Sequence, residues 1–197
     1  MNKLIVILGP SGVGKTTLAN ALAIRVDFDL ALEQHTERPF QALFKQDPKY
    51  ALANQLDYLL FRAEQERALR KGDKTALMDG GLDLDFHGFT RLFHERGWLS
   101  EAEFSVCERF YSLTRGMLPL PDLIIALSAS GQTISERLAS RDRINIASAQ
   151  DSELLTQFVN EWLDSLPREK VLKLDTSGEG KDYLQSLEVI LKKFATI

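Results

Sequence analysis

Apolar positions recur along the chain in two rhythms. Short continuous runs rich in Leu, Ile, Val and Ala predict strands at KLIVILG (3–9), DLALE (29–33), TALMD (75–79), DLIIALS (122–128) and VLKLD (171–175). Between these runs, longer segments repeat their apolar residues at helical spacing and predict helices over 15–26, 48–71, 84–96, 100–117, 131–141, 150–165 and 181–194. Pro39, Pro48, Pro119, Pro121 and Pro167 fall at the proposed boundaries, where a missing amide donor costs least. Strands alternating with helices predict an α/β fold whose central five-stranded sheet is parallel and flanked by helices in three layers. No repeat, low-complexity tract or Gly/Ser/Pro linker divides the sequence, so one domain over 1–197 is expected.

Composition narrows the class. With 197 residues, 44% of them hydrophobic and 26% charged, the chain is long enough to bury a core. The net charge of −4 argues against a nucleic-acid polymer as partner. Cys107 is the single cysteine, which excludes an intrachain disulfide and suits a reducing cytoplasm; a small buried apolar role is expected for it. The run Leu4–Leu8 is too short for a signal core or a membrane span, so no membrane association is expected.

In an open parallel sheet, ligands gather beyond the carboxyl ends of the strands. The residues there are Gly9 to Thr16 after the first strand, Glu33 after the second, Asp79 at the end of the third and Ser128 to Ser130 after the fourth. The first group reads Gly9-Pro10-Ser11-Gly12-Val13-Gly14-Lys15-Thr16, the spacing G-x-x-x-x-G-K-[ST], followed by Thr17. Its glycines let backbone amides turn inward around an anion, and the helix that follows adds its positive end. Lys15 reaches the outer phosphates and the Thr16 hydroxyl is a ligand for Mg²⁺. A nucleoside triphosphate site at Gly9, Ser11, Gly12, Val13, Gly14, Lys15, Thr16 and Thr17 follows. The motif alone leaves open whether the phosphate is transferred, hydrolysed or merely sensed.

The other strand ends suggest an acceptor. A carboxylate at Glu33 would face the cradle and take a proton from an attacking hydroxyl, although a solvated strand-end Glu explains it equally and Glu37 competes for the role. Gln55 and Arg62 lie seven residues apart on one face of a helix, where an amide and a guanidinium read a base edge; from spacing alone a solvated, charged face is the simpler account. Asp79 is placed to hold Mg²⁺ or its water shell, and Asp85 to pair with Arg62, or either to cap a helix. Arg137, Arg141 and Arg143 cluster at a helix end, within a stretch over 136–146 suited to a lid over phosphates. His35, His87 and His94 have no metal-ligand spacing. Phe104, Phe110, Tyr111, Phe158 and Trp162 recur at helical intervals and read as core or interface, with stacking on a base as the alternative.

Taken together, GPSGVGKTTL, Glu33, F-x-x-D-P-x-Y-A-L-x-x-Q at 44–55, Arg62, Asp79, CERFY at 107–111, PDLIIALSAS at 121–130 and ERLASRDR at 136–143 resemble the deoxynucleoside kinases in order and spacing over residues 3–165. The resemblance implies a P-loop kinase fold, usually dimeric, that phosphorylates a deoxynucleoside 5′-hydroxyl with ATP and Mg²⁺. It implies Glu33 as the general base, Gln55 as the base-reading amide, and an Arg62–Asp85 pair of the kind found in members accepting deoxycytidine or purine deoxynucleosides. It also implies Arg137, Arg141 and Arg143 as the lid.

Three positions depart from the family pattern. Gly80 stands where an arginine commonly follows the acidic residue, Phe44 or Lys45 where a tyrosine often meets the sugar, and Ile146 where an acidic residue often follows the lid. Two other functions share the phosphate motif: a nucleoside monophosphate kinase, and a nucleotide-dependent switch or binding protein. The former calls for basic residues around 33–55, where none stands out, and no N-K-x-D tetrad is present for guanine.

Overall fold

Strands β1 (Leu4–Leu8), β2 (Asp29–Ala31), β3 (Ala76–Asp79), β4 (Leu123–Ser128) and β5 (Val171–Asp175) form one sheet in the order β2-β3-β1-β4-β5, every pair parallel. These come from a computed structural model that describes residues 2–32, 37–139 and 149–195. β1 lies in the middle, and all five of its residues are buried because helices cover both faces. Ile5 and Ile7 join Leu77, Leu123 and Ile125 on one face, against Leu18 and Leu22 of α1 (Lys15–Arg25) and Leu187 and Ile190 of α9 (Leu184–Phe194). Leu4, Val6 and Leu8 point the other way with Met78 and Ile124, against Val159, Trp162 and Leu163 of α8 (Ala149–Asp164). The period of two along each strand thus feeds two separate cores.

The remaining helices are α2 (Pro39–Gln46), α3 (Ala51–Leu69), α4 (Leu82–Leu84), α5 (Arg91–Glu95), α6 (Glu101–Met117) and α7 (Gly131–Ala139). Short 3₁₀ turns at Pro48–Tyr50 and Arg168–Lys170 complete the connections. α6 begins where Ser100 and Glu103 exchange hydrogen bonds, the Ser100 amide donating to Glu103 Oε2 at 2.8 Å and the Glu103 amide donating to Ser100 Oγ at 3.4 Å. Two features differ from the sequence reading. α2 has no counterpart among the expected helices; Pro39 stands at a boundary as expected, and that boundary is the start of a helix, where a first-turn position needs no amide donor. The expected helix at 84–96 is interrupted by a π turn over Asp85–Thr90, continuous with α4 before it and α5 after it.

A buried ion network joins α3, α4 and α6. Arg115 places Nη1 2.9 Å from Glu66 Oε1 and Nη2 2.7 Å from Asp83 Oδ2, while Arg70 Nε donates to the same Glu66 oxygen at 2.9 Å. Tyr111 donates to Asp83 Oδ1 at 2.8 Å, and His87 Nε2 lies 2.9 Å from the Tyr111 hydroxyl oxygen. The tyrosine's one proton is committed to the carboxylate, so His87 is the donor and carries its proton on Nε2. Burial, and then the positive Arg91 and Arg115, push the His87 pKa down to about 4. Burial alone would lower the Arg115 pKa, but Asp83 and Glu66 outweigh it and raise it. Cys107 is fully buried in the neighbouring apolar cluster with Leu59, Leu82 and Phe86, and burial raises its thiol to about 11.

Candidate active site

The turn from β1 into α1 is built from its back outward. The Val13 carbonyl accepts from Arg137 Nη1 at 2.6 Å and from the Tyr183 hydroxyl at 3.3 Å, while Thr176 Oγ1 accepts from Arg137 Nη1 at 3.2 Å and spends its one proton on the Ser128 carbonyl at 3.1 Å. Arg137 Nη2 also donates to the carbonyls of Thr176, at 2.9 Å, and Glu179, at 3.3 Å. Arg137 thus ties the Val13 carbonyl of the loop to the segment that follows β5. Gly14 has φ +104°, and a Cβ there would overlap the Tyr183 hydroxyl, so both backbone shape and packing demand glycine. Gly12 and Val13 are buried, Ser11 is exposed, and Lys15, Thr16 and Thr17 are half-buried at the helix start. Lys15 Nζ lies on its own loop, donating to the carbonyls of Gly9 at 3.0 Å and Pro10 at 3.2 Å.

Parallel pairing sets Ile7 beside Asp79, which brings the end of β3 to the start of the cradle. Thr16 Oγ1 donates to Asp79 Oδ2 at 2.5 Å, across 63 residues of sequence. A hydroxyl and a carboxylate oxygen at the mouth of a phosphate loop are the hard oxygen donors that Mg²⁺ prefers.

From Asp79 the polar groups continue inward. Arg62 Nη1 approaches the Asp79 carbonyl at 3.4 Å and donates to Gln65 Oε1 at 3.1 Å, while its Nε donates to Asp85 Oδ2 at 3.0 Å. The Asp85 carbonyl lies 2.9 Å from Thr90 Oγ1, which lies 3.0 Å from Gln55 Oε1. Thr16, Asp79, Arg62, Asp85, Thr90 and Gln55 therefore form one connected line, from the phosphate loop through β3 and the π turn to α3. Gln55 and Arg62 are only 3% and 6% exposed, which rules out the solvated helix face that spacing alone favoured. Gly80, at φ +76°, leaves room for this: a Cβ there would come within 3.1 Å of Arg62 Nη2. Thr90 is the member of the line that sequence reasoning missed; its partner is 35 residues away and no motif marks it.

Other candidates among the described residues are engaged elsewhere. Phe44 is stacked on Phe93, with ring centres 4.7 Å apart, and packs edge-on against Trp98. Tyr111 stacks on Phe86, and Trp162 on His87, so these aromatics are occupied within the protein. Basic residues in the 37–55 stretch are each ion-paired: Arg38 with Asp57, Lys45 with Glu37 and Lys49 with Asp47. Arg137, read as a lid arginine, sits behind the phosphate loop at the end of α7. Glu33, His35, Arg141, Arg143 and Ile146 lie outside the described residues.

The sequence model of the deoxynucleoside kinase family matches residues 5–196. A deoxyadenosine/deoxycytidine kinase of Bacillus subtilis (strain 168) is 26% identical over an alignment spanning 100% of this chain and 93% of the relative. A deoxyguanosine kinase of the same organism is 26% identical over 91% of this chain and 88% of its own length. Among solved structures, a deoxyadenosine kinase from M. mycoides with bound dATP superposes with a TM-score of 0.79 at 20% identity, covering 98% of this chain and 99% of that one.

Proposed function

The chain belongs to the deoxynucleoside kinase family, whose members are transferases that phosphorylate a nucleoside hydroxyl, and we propose that it transfers the γ-phosphoryl group of ATP to the 5′-hydroxyl of a purine deoxynucleoside or deoxycytidine. The observation that carries this reading is the unbroken polar line from Thr16 to Gln55. Burying a guanidinium, a carboxylate and an amide costs stability unless each is paired, and such a set beside a phosphate loop suits recognition of a polar base edge. The names of the relatives, deoxyadenosine/deoxycytidine and deoxyguanosine kinases, support the same substrate class.

In this reading the backbone of residues 9–17 holds the triphosphate, Lys15 bears on its outer phosphates, and Thr16 with Asp79 holds Mg²⁺. ATP supplies the phosphoryl group that moves. Glu33 takes the proton of the attacking 5′-hydroxyl, and Arg141 and Arg143 close over the phosphates. Arg137 bears on phosphate through the loop it grips. Gln55, Arg62 and Asp85 read the base. A homodimer through α3 and α6 is supported by Leu60, Val106, Leu113 and Met117, which leave large apolar side chains in solvent, Leu113 at 67% exposure. A nucleotide salvage role in the cytoplasm follows from the same proposal.

A nucleoside monophosphate as acceptor is disfavoured by the ion pairing of Arg38, Lys45 and Lys49, which leaves no cation of that stretch free for an acceptor phosphate. The test is a panel of nucleosides and monophosphates incubated with ATP and Mg²⁺ and read by product mass. Deoxynucleoside monophosphates should appear from deoxyadenosine, deoxyguanosine or deoxycytidine; diphosphates alone, or no product, would overturn the reading. Glu33→Gln should lower kcat by about 10² to 10⁴-fold with little change in nucleoside binding. Full activity in that variant would reject Glu33 as the base.

A further inference from the structure

Thr90 is completely buried in the π turn and meets two groups, Gln55 Oε1 at 3.0 Å and the Asp85 carbonyl at 2.9 Å. A hydroxyl owns one proton, and in that arrangement both neighbours are acceptors. One of the two contacts would then set oxygen against oxygen with no proton between them. The Asp85 carbonyl has no alternative, since it can only accept. The carboxamide has one: its oxygen and nitrogen ends fill the same space, and a half-turn about its last torsion exchanges them. With Nε2 turned toward Thr90, the amide donates to Oγ1, Oγ1 donates to the Asp85 carbonyl, and both contacts become hydrogen bonds. One hydrogen bond of this kind biases the two orientations by about fivefold or more.

We propose that Thr90 sets which way the Gln55 carboxamide faces, and thereby which order of donor and acceptor the site offers to a base. The proposal rests on the reading that Gln55 faces the base of the acceptor. Adenine and cytosine present a ring-nitrogen acceptor beside an amino donor; guanine presents a ring N–H donor beside an oxygen acceptor. These orders are opposite, so an amide held in one orientation matches one kind of base and confronts the other with like against like. Thr90 is in this sense a positioning residue that determines specificity without touching the substrate.

The experiment measures kcat/KM for deoxyadenosine and deoxyguanosine, with ATP as donor, for the wild-type protein and for Thr90→Val, Thr90→Ser and Gln55→Leu, alongside the Tm of each. The wild-type protein should prefer one of the two nucleosides by about fivefold or more. Valine keeps the volume and removes the hydroxyl, so Gln55 turns to suit either base and the preference should shrink toward equality; serine should restore it. If Thr90→Val proves too unstable to assay, Thr90→Ala reads the same ratio. A merely structural Thr90 would lower Tm and both kcat/KM values together with the ratio unmoved, and that result overturns the proposal, as does a wild-type ratio near one. Gln55→Leu separates the two levels. If it alters the ratio while the Thr90 variants do not, the Thr90 inference alone falls; if it leaves the ratio untouched, the base-reading role of Gln55 falls and the inference with it.

Discussion

The two ends of the candidate site are built on different principles. The phosphate end is backbone: a glycine-bearing turn whose shape is enforced from behind, with the Val13 carbonyl gripped by Arg137 and Tyr183. The base end is side chain: Gln55, Arg62, Asp85 and Thr90, buried and each serving another. Redundant support makes the first end tolerant of losing a single contact. Serial support makes the second fragile, because each removal strands a partner in a medium without water.

The largest effect should come from breaking the Arg62–Asp85 pair, whose side chains are 7% and 9% exposed. Arg62→Met leaves a buried carboxylate without its guanidinium and should cost about 3–5 kcal/mol of stability, measured by chemical denaturation, and raise the nucleoside KM about tenfold or more. Adding Asp85→Leu should recover most of the stability and none of the nucleoside affinity. A single variant as stable as the wild-type protein would mean that this end is not serially supported.

A smaller loss belongs to the network behind the base end. His87 is held neutral between Tyr111 and Trp162 with Arg91 and Arg115 nearby, its pKa depressed to about 4. Its folded pKa lies below the unfolded value of about 6.5, so its contribution is intact above pH 6.5 and is lost as the pH falls toward 4. Between pH 7 and pH 5 this group should remove about 2 kcal/mol. A His87→Gln variant should lack that component of the pH dependence; an identical slope in both proteins would place the acid sensitivity elsewhere.

The smallest effect is expected at the phosphate end. Tyr183→Phe removes the longer of two donors to the Val13 carbonyl and should cost no more than about 1 kcal/mol, with ATP binding by calorimetry little changed. A large loss of ATP affinity there would erase the contrast between the two ends.

The same contrast governs how far the sequence could be read. The five strands and the phosphate loop are legible because their signals are local: an unbroken apolar run such as Leu4–Leu8, then glycines at fixed spacing before Lys15. The base end depends on tertiary placement. Spacing puts Gln55 and Arg62 on one face, but not whether that face meets water; the resemblance to a family pointed to a base-reading role, and only the fold shows the face buried. Glu66, Arg70, Asp83 and Arg115 look like ordinary surface charges in sequence and are instead an internal network. α2 escaped notice because Pro39 suits a helix start as well as a boundary, and the π turn did so because one extra residue barely alters an apolar pattern.

That extra residue has a consequence for anyone splicing this chain with its relatives. Each residue of an α-helix advances the side chains by about 100°, so trimming one position from the Asp85–Thr90 turn would spin everything downstream to a new bearing. Thr90 would leave Gln55, and His87 or Arg91 would swing away from the groups they now face. Segment length here is a conserved quantity for design: a chimera may exchange letters within the turn, but it must keep the count.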